Sequence, residues 1–180
     1  MAGRSPAQFN PISGDMMSLK VRQATESDFE SIWQIFNRIV SAGETYAFAP
    51  DTTKEQAYEI WMNTPEATFV TEQSKEILGT YYIKPNQPGL GAHVCNCGYM
   101  VLEKARGMGI ATLMCEHSQR VAVDLGFKAM QFNLVVSTNE GAIRLWQKLG
   151  FDLVGTLPRA FCHPSLGYVD ACVMYKWLAI

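Results

Sequence analysis

The sequence feature that says most about the possible fold of this chain is a glycine-containing turn. It lies between an apolar segment and an amphipathic segment. Residues 93–102 form an apolar, β-rich run that predicts a strand, and Arg106 then opens a predicted helix that ends at Gly126. The small residues of the turn expose main-chain N–H groups at a helix N-terminus, which favours an anion such as a diphosphate. A tight turn without a ligand is the alternative interpretation. The turn lacks the three-glycine dinucleotide fingerprint and the lysine and hydroxyl of a P-loop, so NAD and ATP are poor candidates.

The remaining periodicity predicts one α+β domain over residues 18–180, preceded by a flexible leader over residues 1–17. On the helix that follows the turn, the predicted inward face runs from Ile110 to Leu125. The other predicted elements are a strand at 19–23, helices at 25–43 and 53–62, strands at 67–71, 77–83 and 128–136, a helix at 139–150, and strands at 151–155 and 168–177.

Composition excludes several classes of partner. Fifteen Lys and Arg against seventeen Asp and Glu give a net charge of −2, which argues against a nucleic-acid partner. No stretch is long and apolar enough to cross a bilayer, so no membrane partner is expected. The cysteines are odd in number and lie in apolar runs, which predicts reduced thiols and a cytoplasmic location. They are Cys95, Cys97, Cys115, Cys162 and Cys172.

Two motifs resemble those of the GNAT superfamily of acetyl-CoA-dependent N-acetyltransferases. The spacing of Arg106, Gly109 and Ala111 is similar to motif A, and an Asn-led helix ending in Gly-Phe is similar to motif B. The resemblance implies a mixed, mostly antiparallel sheet of six to seven strands with a splay between strands 4 and 5, flanked by about four helices. It also implies acetyl-CoA as co-substrate, and it allows a homodimer. The motif B residues are Asn139, Ala142, Leu145, Trp146, Gly150 and Phe151.

The same resemblance assigns the cofactor contacts. The acyl-pantetheine arm is expected in the splay, hydrogen-bonded to the main chain of Tyr99 and Val101, and these N–H groups can polarise the thioester carbonyl. Tyr99 is therefore also a predicted catalytic residue. Asn139 is a predicted cofactor contact as well as a helix cap. The pyrophosphate is expected on the motif A turn, which comprises Arg106, Gly107, Met108, Gly109, Ile110 and Ala111.

A narrower resemblance is to the fungal azetidine-2-carboxylate N-acetyltransferases and their bacterial relatives. It is carried by residues 43–46, 93–96 and 132–135. It implies that Asn96 and Asn133 shape the acceptor pocket, so both are predicted to bind and orient the acceptor amine for catalysis. Tyr46 and Phe48, on an aromatic loop, either cover the core or form a lid over a small apolar ring, and we include them as predicted acceptor-binding residues.

The usual acid and base of the superfamily are missing. The strand before motif A carries no glutamate, and Trp146 stands where the family has a tyrosine, so no protein acid or base is assigned. Cys95 and Cys97 share a strand face, but no second ligand pair accompanies them, so packing is preferred and no metal is predicted. The predicted function is acetylation of a small-molecule amine, an amino acid or its analogue. The alternatives are acetylation of a protein N-terminus or lysine, and a non-catalytic acetyl-CoA-binding module.

Overall fold

A seven-stranded mixed sheet runs through residues 18–178, the part of the chain that this computed structural model describes. The strands lie in the order β1-β2-β3-β4-β5-β7-β6. The predicted leader lies outside the described residues. The strands are β1 Lys20–Gln23, β2 Ala67–Gln73, β3 Glu76–Pro85, β4 Val94–Val101, β5 Ala129–Val136, β6 Asp152–His163 and β7 Gly167–Trp177. The helices are α1 Phe29–Ala42, α2 Lys54–Tyr58, α3 Ile110–Asp124 and α4 Glu140–Lys148.

Local capping signals position α1. Asp28 accepts hydrogen bonds from the Thr25 N–H at 2.7 Å and from its hydroxyl at 2.9 Å, and this closes the turn that leads into the helix. The helix ends where Gly43 adopts a left-handed conformation with φ of 68°, which costs glycine little. The predicted helix is therefore confirmed. Within residues 18–178, none of the helices is long and apolar enough to span a membrane.

The helices divide into two layers with a separate core on each side of the sheet. On the first side, which we call the α1 face, α1 and the π-helical turn Glu59–Asn63 that follows α2 bury Phe36 and Trp61 against Tyr82 and Met100. On the second side, the α3 face, α3 and α4 bury cysteine, methionine and aromatic side chains against β4, β5 and β7. Since strand side chains alternate, each residue of β4 is assigned to one of these two faces.

Strands β4 and β5 diverge soon after they pair. Their parallel contact consists of Val94 opposite Ala129 and Cys95 opposite Met130. Beyond Cys95, β4 keeps its antiparallel partner β3 on one side, and on the other side no strand from residues 18–178 pairs with it. We call this space the gap. The mixed sheet with a divergence between the fourth and fifth strands, flanked by four helices, confirms the predicted fold.

Two predicted boundaries are wrong. Helix α3 begins at Ile110 and not at Arg106, because Gly107 and Gly109 both have positive φ and cannot belong to the helix. Leu125, predicted to face the core, is exposed because α3 ends one residue before it. The predicted loop after residue 155 is mostly strand, since β6 continues to His163. This edge strand accommodates Pro158 at a bulge between Leu157 and Phe161.

Candidate active site

The gap exposes one set of main-chain groups on β4. The N–H of Leu102 donates to Leu78 and that of Asn86 donates to Val94, each at 2.8 Å, so even-numbered residues of β4 bond to β3. Alternation in an antiparallel pair then directs the N–H and C=O groups of Tyr99 and Val101 away from β3 and into the gap. These are the two residues predicted to hold an extended ligand arm.

The N-terminus of α3 adjoins the gap and presents free donors. Gly109 caps the helix with φ of 78°, and the first N–H groups of α3 precede the first intrahelical bond, which Leu113 donates to Gly109. These N–H groups and the helix dipole favour an anion. The turn lies beside a cavity of about 360 Å³. Its lining comprises Val101, Ala105, Arg106, Gly107, Gly109, Ile110, Ala111, Thr112 and Leu145.

Two residues predicted to contact the cofactor differ from the others. The N–H of Met108 is directed to the carbonyl of Ala105 at 3.4 Å, so this donor is already engaged. Asn139 caps α4, where its side-chain oxygen accepts the N–H of Ala142 at 3.2 Å. Neither of them lines the cavity, and of the other predicted cofactor contacts only Tyr99 is also absent from its lining. Arg106 lines it, and it also borders a second cavity of about 190 Å³ between α1 and the end of β4.

Four aromatic side chains on the α1 face, those of Tyr46, Phe48, Trp61 and Tyr82, form what we call the aromatic wall. The rings of Tyr46 and Phe48 stack with centroids 5.5 Å apart, and Tyr46 meets Trp61 edge to face at 6.0 Å. The Tyr46 hydroxyl donates to the main-chain carbonyl of Tyr99 at 2.8 Å. Burial raises the pKa of Tyr46 well above its usual value, so this hydroxyl stays protonated. The aromatic loop thus packs on the core and also touches the main chain of the gap.

Asn96 lies at the point where the two strands part. Its side-chain nitrogen donates to the carbonyl of Gln131 at 2.9 Å, and its oxygen accepts the Tyr82 hydroxyl at 3.1 Å. The residue is 9% exposed. The hydrogen bond to Gln131 therefore bridges β4 to β5 beyond their last main-chain pair.

Asn133 belongs to the same face but is exposed. Its nitrogen donates to the side-chain oxygen of Asn86 at 2.7 Å, and its oxygen accepts from the side chain of Gln131 at 2.9 Å. Asn96, Gln131, Asn133 and Asn86 form what we call the amide cluster. Sequence reasoning identified both strand asparagines but missed Tyr82, Gln131 and Asn86. The alternating faces of β3 and β5 carry the signal that could have found them.

The α3 face closes the other side of the gap with apolar groups. Trp146 packs 5.1 Å from the rings of both Tyr99 and Phe132. The Tyr99 hydroxyl is hydrogen-bonded to Ser118 at 2.7 Å, so its side chain is held on α3 while its main chain faces the gap. Burial raises the pKa of the Cys97 thiol, which stays neutral. Residues 18–178 contain no group of three or more His, Cys, Asp or Glu placed to hold a metal ion.

These features suit an extended, anionic ligand arm that is bound by main-chain groups. The donors at the start of α3 suit phosphates, the open strand edge suits an amide-containing chain, and both glycines of the turn have open space where a side chain would stand. Acetyl-CoA combines a pyrophosphate with such a chain, so the residues present fit it.

The chain belongs to the acetyltransferase (GNAT) family, whose model matches residues 29–151. It is therefore an acetyl-CoA-dependent N-acetyltransferase, as predicted. N-acetyltransferase aca1 of Schizosaccharomyces pombe is 30% identical over 165 residues, which cover 82% of this chain and 79% of that protein.

Solved structures have the same architecture. A GCN5-related N-acetyltransferase from Kribbella flavida superposes with a TM-score of 0.84 at 45% identity, covering 88% of this chain and 97% of the other. A phosphinothricin acetyltransferase from Sinorhizobium meliloti, in complex with acetyl-CoA, has a TM-score of 0.77 at 20% identity and covers 91% and 90%. The second likeness concerns the fold alone.

Proposed function

We propose that this enzyme transfers acetyl to the amine of a small molecule, an amino acid or an amino-acid analogue. The observation that carries the proposal is the contact of the aromatic wall with the main chain of Tyr99, on the same face of the sheet as the amide cluster. Tyr46 touches that main chain directly, at 2.8 Å. Stacked rings suit a small apolar body, and amides suit the polar groups of a compact acceptor.

The main chain and the amide side chains divide the work of the reaction. Acetyl-CoA supplies a thioester that an amine can attack directly. The N–H groups of Tyr99 and Val101 face the gap and can stabilise negative charge on an acyl oxygen, a contribution of about 3 kcal/mol per donor. Asn96 and Asn133 orient the acceptor, since an amide can donate and accept hydrogen bonds but cannot take up a proton.

No carboxylate belongs to the aromatic wall or the amide cluster, so we assign no protein base. A partly apolar pocket lowers the pKa of a bound amine, which favours its neutral, nucleophilic form. Trp146 cannot release a proton at neutral pH, and a thiol with a pKa of about 8.5 can leave as thiolate and be protonated by solvent. The chemistry then depends on orientation and on main-chain donors.

The same proposal extends to location and assembly. All five cysteines are free thiols, and four of them are buried, which supports a reducing cytoplasm. Edge strand β6 exposes apolar side chains that support a homodimer. These include Leu153, Val154 and Leu157.

A thiol-release assay tests the proposal. Acetyl-CoA is incubated with the enzyme and with a panel of amino acids, proline analogues, simple amines and peptides. Amino acids or their analogues should release thiol in saturable fashion, and the acetylated product should appear by mass spectrometry. Preferential release with peptides or protein lysines would favour a protein acetyltransferase. Binding of acetyl-CoA without release by any acceptor would favour a non-catalytic module.

A further inference from the structure

Lys84 is the basic residue that adjoins the amide cluster on the α1 face. It lies directly opposite Asn96 in the register of β3 and β4. Its Nζ lies over the ring of Tyr82, 5.4 Å from the centroid, and the side chain is half-buried. The Tyr82 hydroxyl in turn donates a hydrogen bond to the side chain of Asn96. The ammonium group of Lys84, the ring of Tyr82 and the amide of Asn96 therefore lie close together.

Among the described residues Lys84 has no acidic partner, in contrast to two basic residues near α1. Near α1, Arg38 pairs with Glu103 and Lys54 pairs with Glu30. Among residues 18–178, by contrast, no carboxylate forms an ion pair with Lys84. The Tyr82 ring carries no net charge that could neutralise the ammonium group, and partial burial reduces the hydration of this group. A cation in this setting favours an anionic ligand, which would add a charge-assisted hydrogen bond.

The direction of the side chain limits the size of that ligand. Lys84 folds back over Tyr82, whose partner in the register is Gly98, the residue that precedes Tyr99. The ammonium group therefore lies towards the part of β4 whose main chain faces the gap. A ligand whose anionic group contacts Lys84 and whose amine reaches the gap is then expected to be short, as in a molecule that carries its carboxylate and its amine on the same carbon atom.

We propose that Lys84 binds the carboxylate of the acceptor and so selects α-amino acids and their cyclic analogues over simple amines. This inference rests on the proposed function and names the residue that determines its substrate class. Asn96 and Asn133 would bind the remaining polar groups, while Lys84 supplies the charge that distinguishes an acid from its ester or amide.

The test compares acids with their neutral derivatives in matched variants. Lys84→Met removes the charge at similar length, Lys84→Arg keeps it, and Lys75→Met changes a lysine in the β2–β3 turn at the other end of β3. In Lys84→Met we expect kcat/KM for an amino acid to fall about 10- to 100-fold, as for loss of a hydrogen bond to a charged group. The kcat/KM for the methyl ester of the amino acid and the KM for acetyl-CoA should change little. Lys84→Arg should retain most of the preference for the amino acid over its methyl ester, and Lys75→Met should retain all of this preference.

A binding measurement separates this inference from the proposed function. N-acetylproline and N-acetylprolinamide are titrated into each variant and followed by NMR, which requires no turnover. Lys84-dependent binding of the acid, with no amino acid acetylated, would overturn the proposed function and leave the carboxylate site standing. If amino acids are acetylated and the ratio of kcat/KM for the acid to kcat/KM for the ester is the same in Lys84→Met as in the wild type, the carboxylate site alone is overturned. Failure of both acetylation and acid binding in the wild type would overturn both.

Discussion

The hydroxyl of Tyr46 donates to the main-chain carbonyl of Tyr99 at 2.8 Å, across 53 residues of sequence. This bond joins the loop after α1 to the strand whose main chain faces the gap. The loop carries Tyr46 and Phe48 of the aromatic wall, and the strand presents the groups expected to hold the acyl arm. The expected acceptor and cofactor sites are therefore in direct contact through one hydrogen bond.

Tyr46→Phe should separate the packing of this ring from its hydrogen bond. The stack with Phe48 is retained, but the Tyr99 carbonyl loses its donor, so the free energy of unfolding should fall by about 1 kcal/mol in urea titrations. A loosened loop should raise the acceptor KM several-fold and leave acetyl-CoA affinity within about twofold. Tyr168→Phe, at a residue 73% exposed, is the matched control and should change neither. Unchanged stability and kinetics in Tyr46→Phe would show that the bond has no role.

Gly98→Ala should disturb the aromatic wall from within the sheet. A Cβ at Gly98 would lie 2.6 Å from Cε1 of Tyr82, so the ring must shift, which disturbs its hydrogen bond to Asn96. We expect a loss of about 1–3 kcal/mol in the free energy of unfolding, typical of overpacking, and a higher acceptor KM. Gly155→Ala is the control, because a Cβ there meets nothing within 4 Å and φ is not positive. Equal stability of the two variants would refute the steric argument.

The two strand asparagines should respond differently to alanine. Asn133 is exposed, so Asn133→Ala should change stability by less than about 0.5 kcal/mol, yet raise the acceptor KM or lower kcat with acetyl-CoA affinity nearly intact. Asn96→Ala leaves the Gln131 carbonyl and the Tyr82 hydroxyl unpaired and should cost about 1–3 kcal/mol of stability. Denaturation and steady-state kinetics measure both. An equal loss of acetyl-CoA binding in Asn133→Ala would contradict its assignment to the acceptor.

The sequence predicted those parts of the fold that local signals determine. The end of α1 at Gly43 and the two strands β2 and β3 follow from short-range patterns and are confirmed. The start of α3 was wrong because nothing in the residue types shows that Gly109 adopts a left-handed conformation. The extent of β6 was wrong because Pro158 is typical of loops, and only pairing with β7 reveals a bulged edge strand.

The site was predicted in outline but not in its connections. Alternation places Asn96 on one face, and resemblance added Asn133 to the same pocket. The partners of these asparagines are 14, 35 and 47 residues away along the chain, namely Tyr82, Gln131 and Asn86. Such pairings depend on sheet order and register, which a single sequence does not specify.

Trp146→Phe should have a small effect on the chemical step. The indole packs against Tyr99 and Phe132, so the smaller ring should cost about 1 kcal/mol of stability through lost contacts. Since we assign it no proton transfer, kcat should stay within about threefold when single turnovers are measured at saturating acetyl-CoA. A loss of about 100-fold with unchanged acetyl-CoA affinity would mean that Trp146 takes part in the chemistry.

His117 should make the protein less stable in mild acid. Burial, with a further effect from Arg120, lowers the pKa of His117 below its usual value of about 6.5, and its Nδ1 is hydrogen-bonded to the Tyr81 hydroxyl at 2.7 Å. The unfolded chain therefore binds a proton at a higher pH than the folded one. The contribution of neutral His117 to the free energy of unfolding is fully present above a pH of about 6.5. This contribution is lost as the pH falls through the pKa of the folded state.

Replacement of this histidine by an uncharged side chain tests the sign of the effect. Urea unfolding of the wild type and of His117→Gln is compared between pH 7.5 and pH 5, where the wild type should lose more stability than the variant. The same comparison between pH 7.5 and pH 9 is the control, because the imidazole is neutral in both states there and the two proteins should respond alike. A wild type that loses no more stability in acid than His117→Gln would show that His117 is not held in its neutral form by the fold.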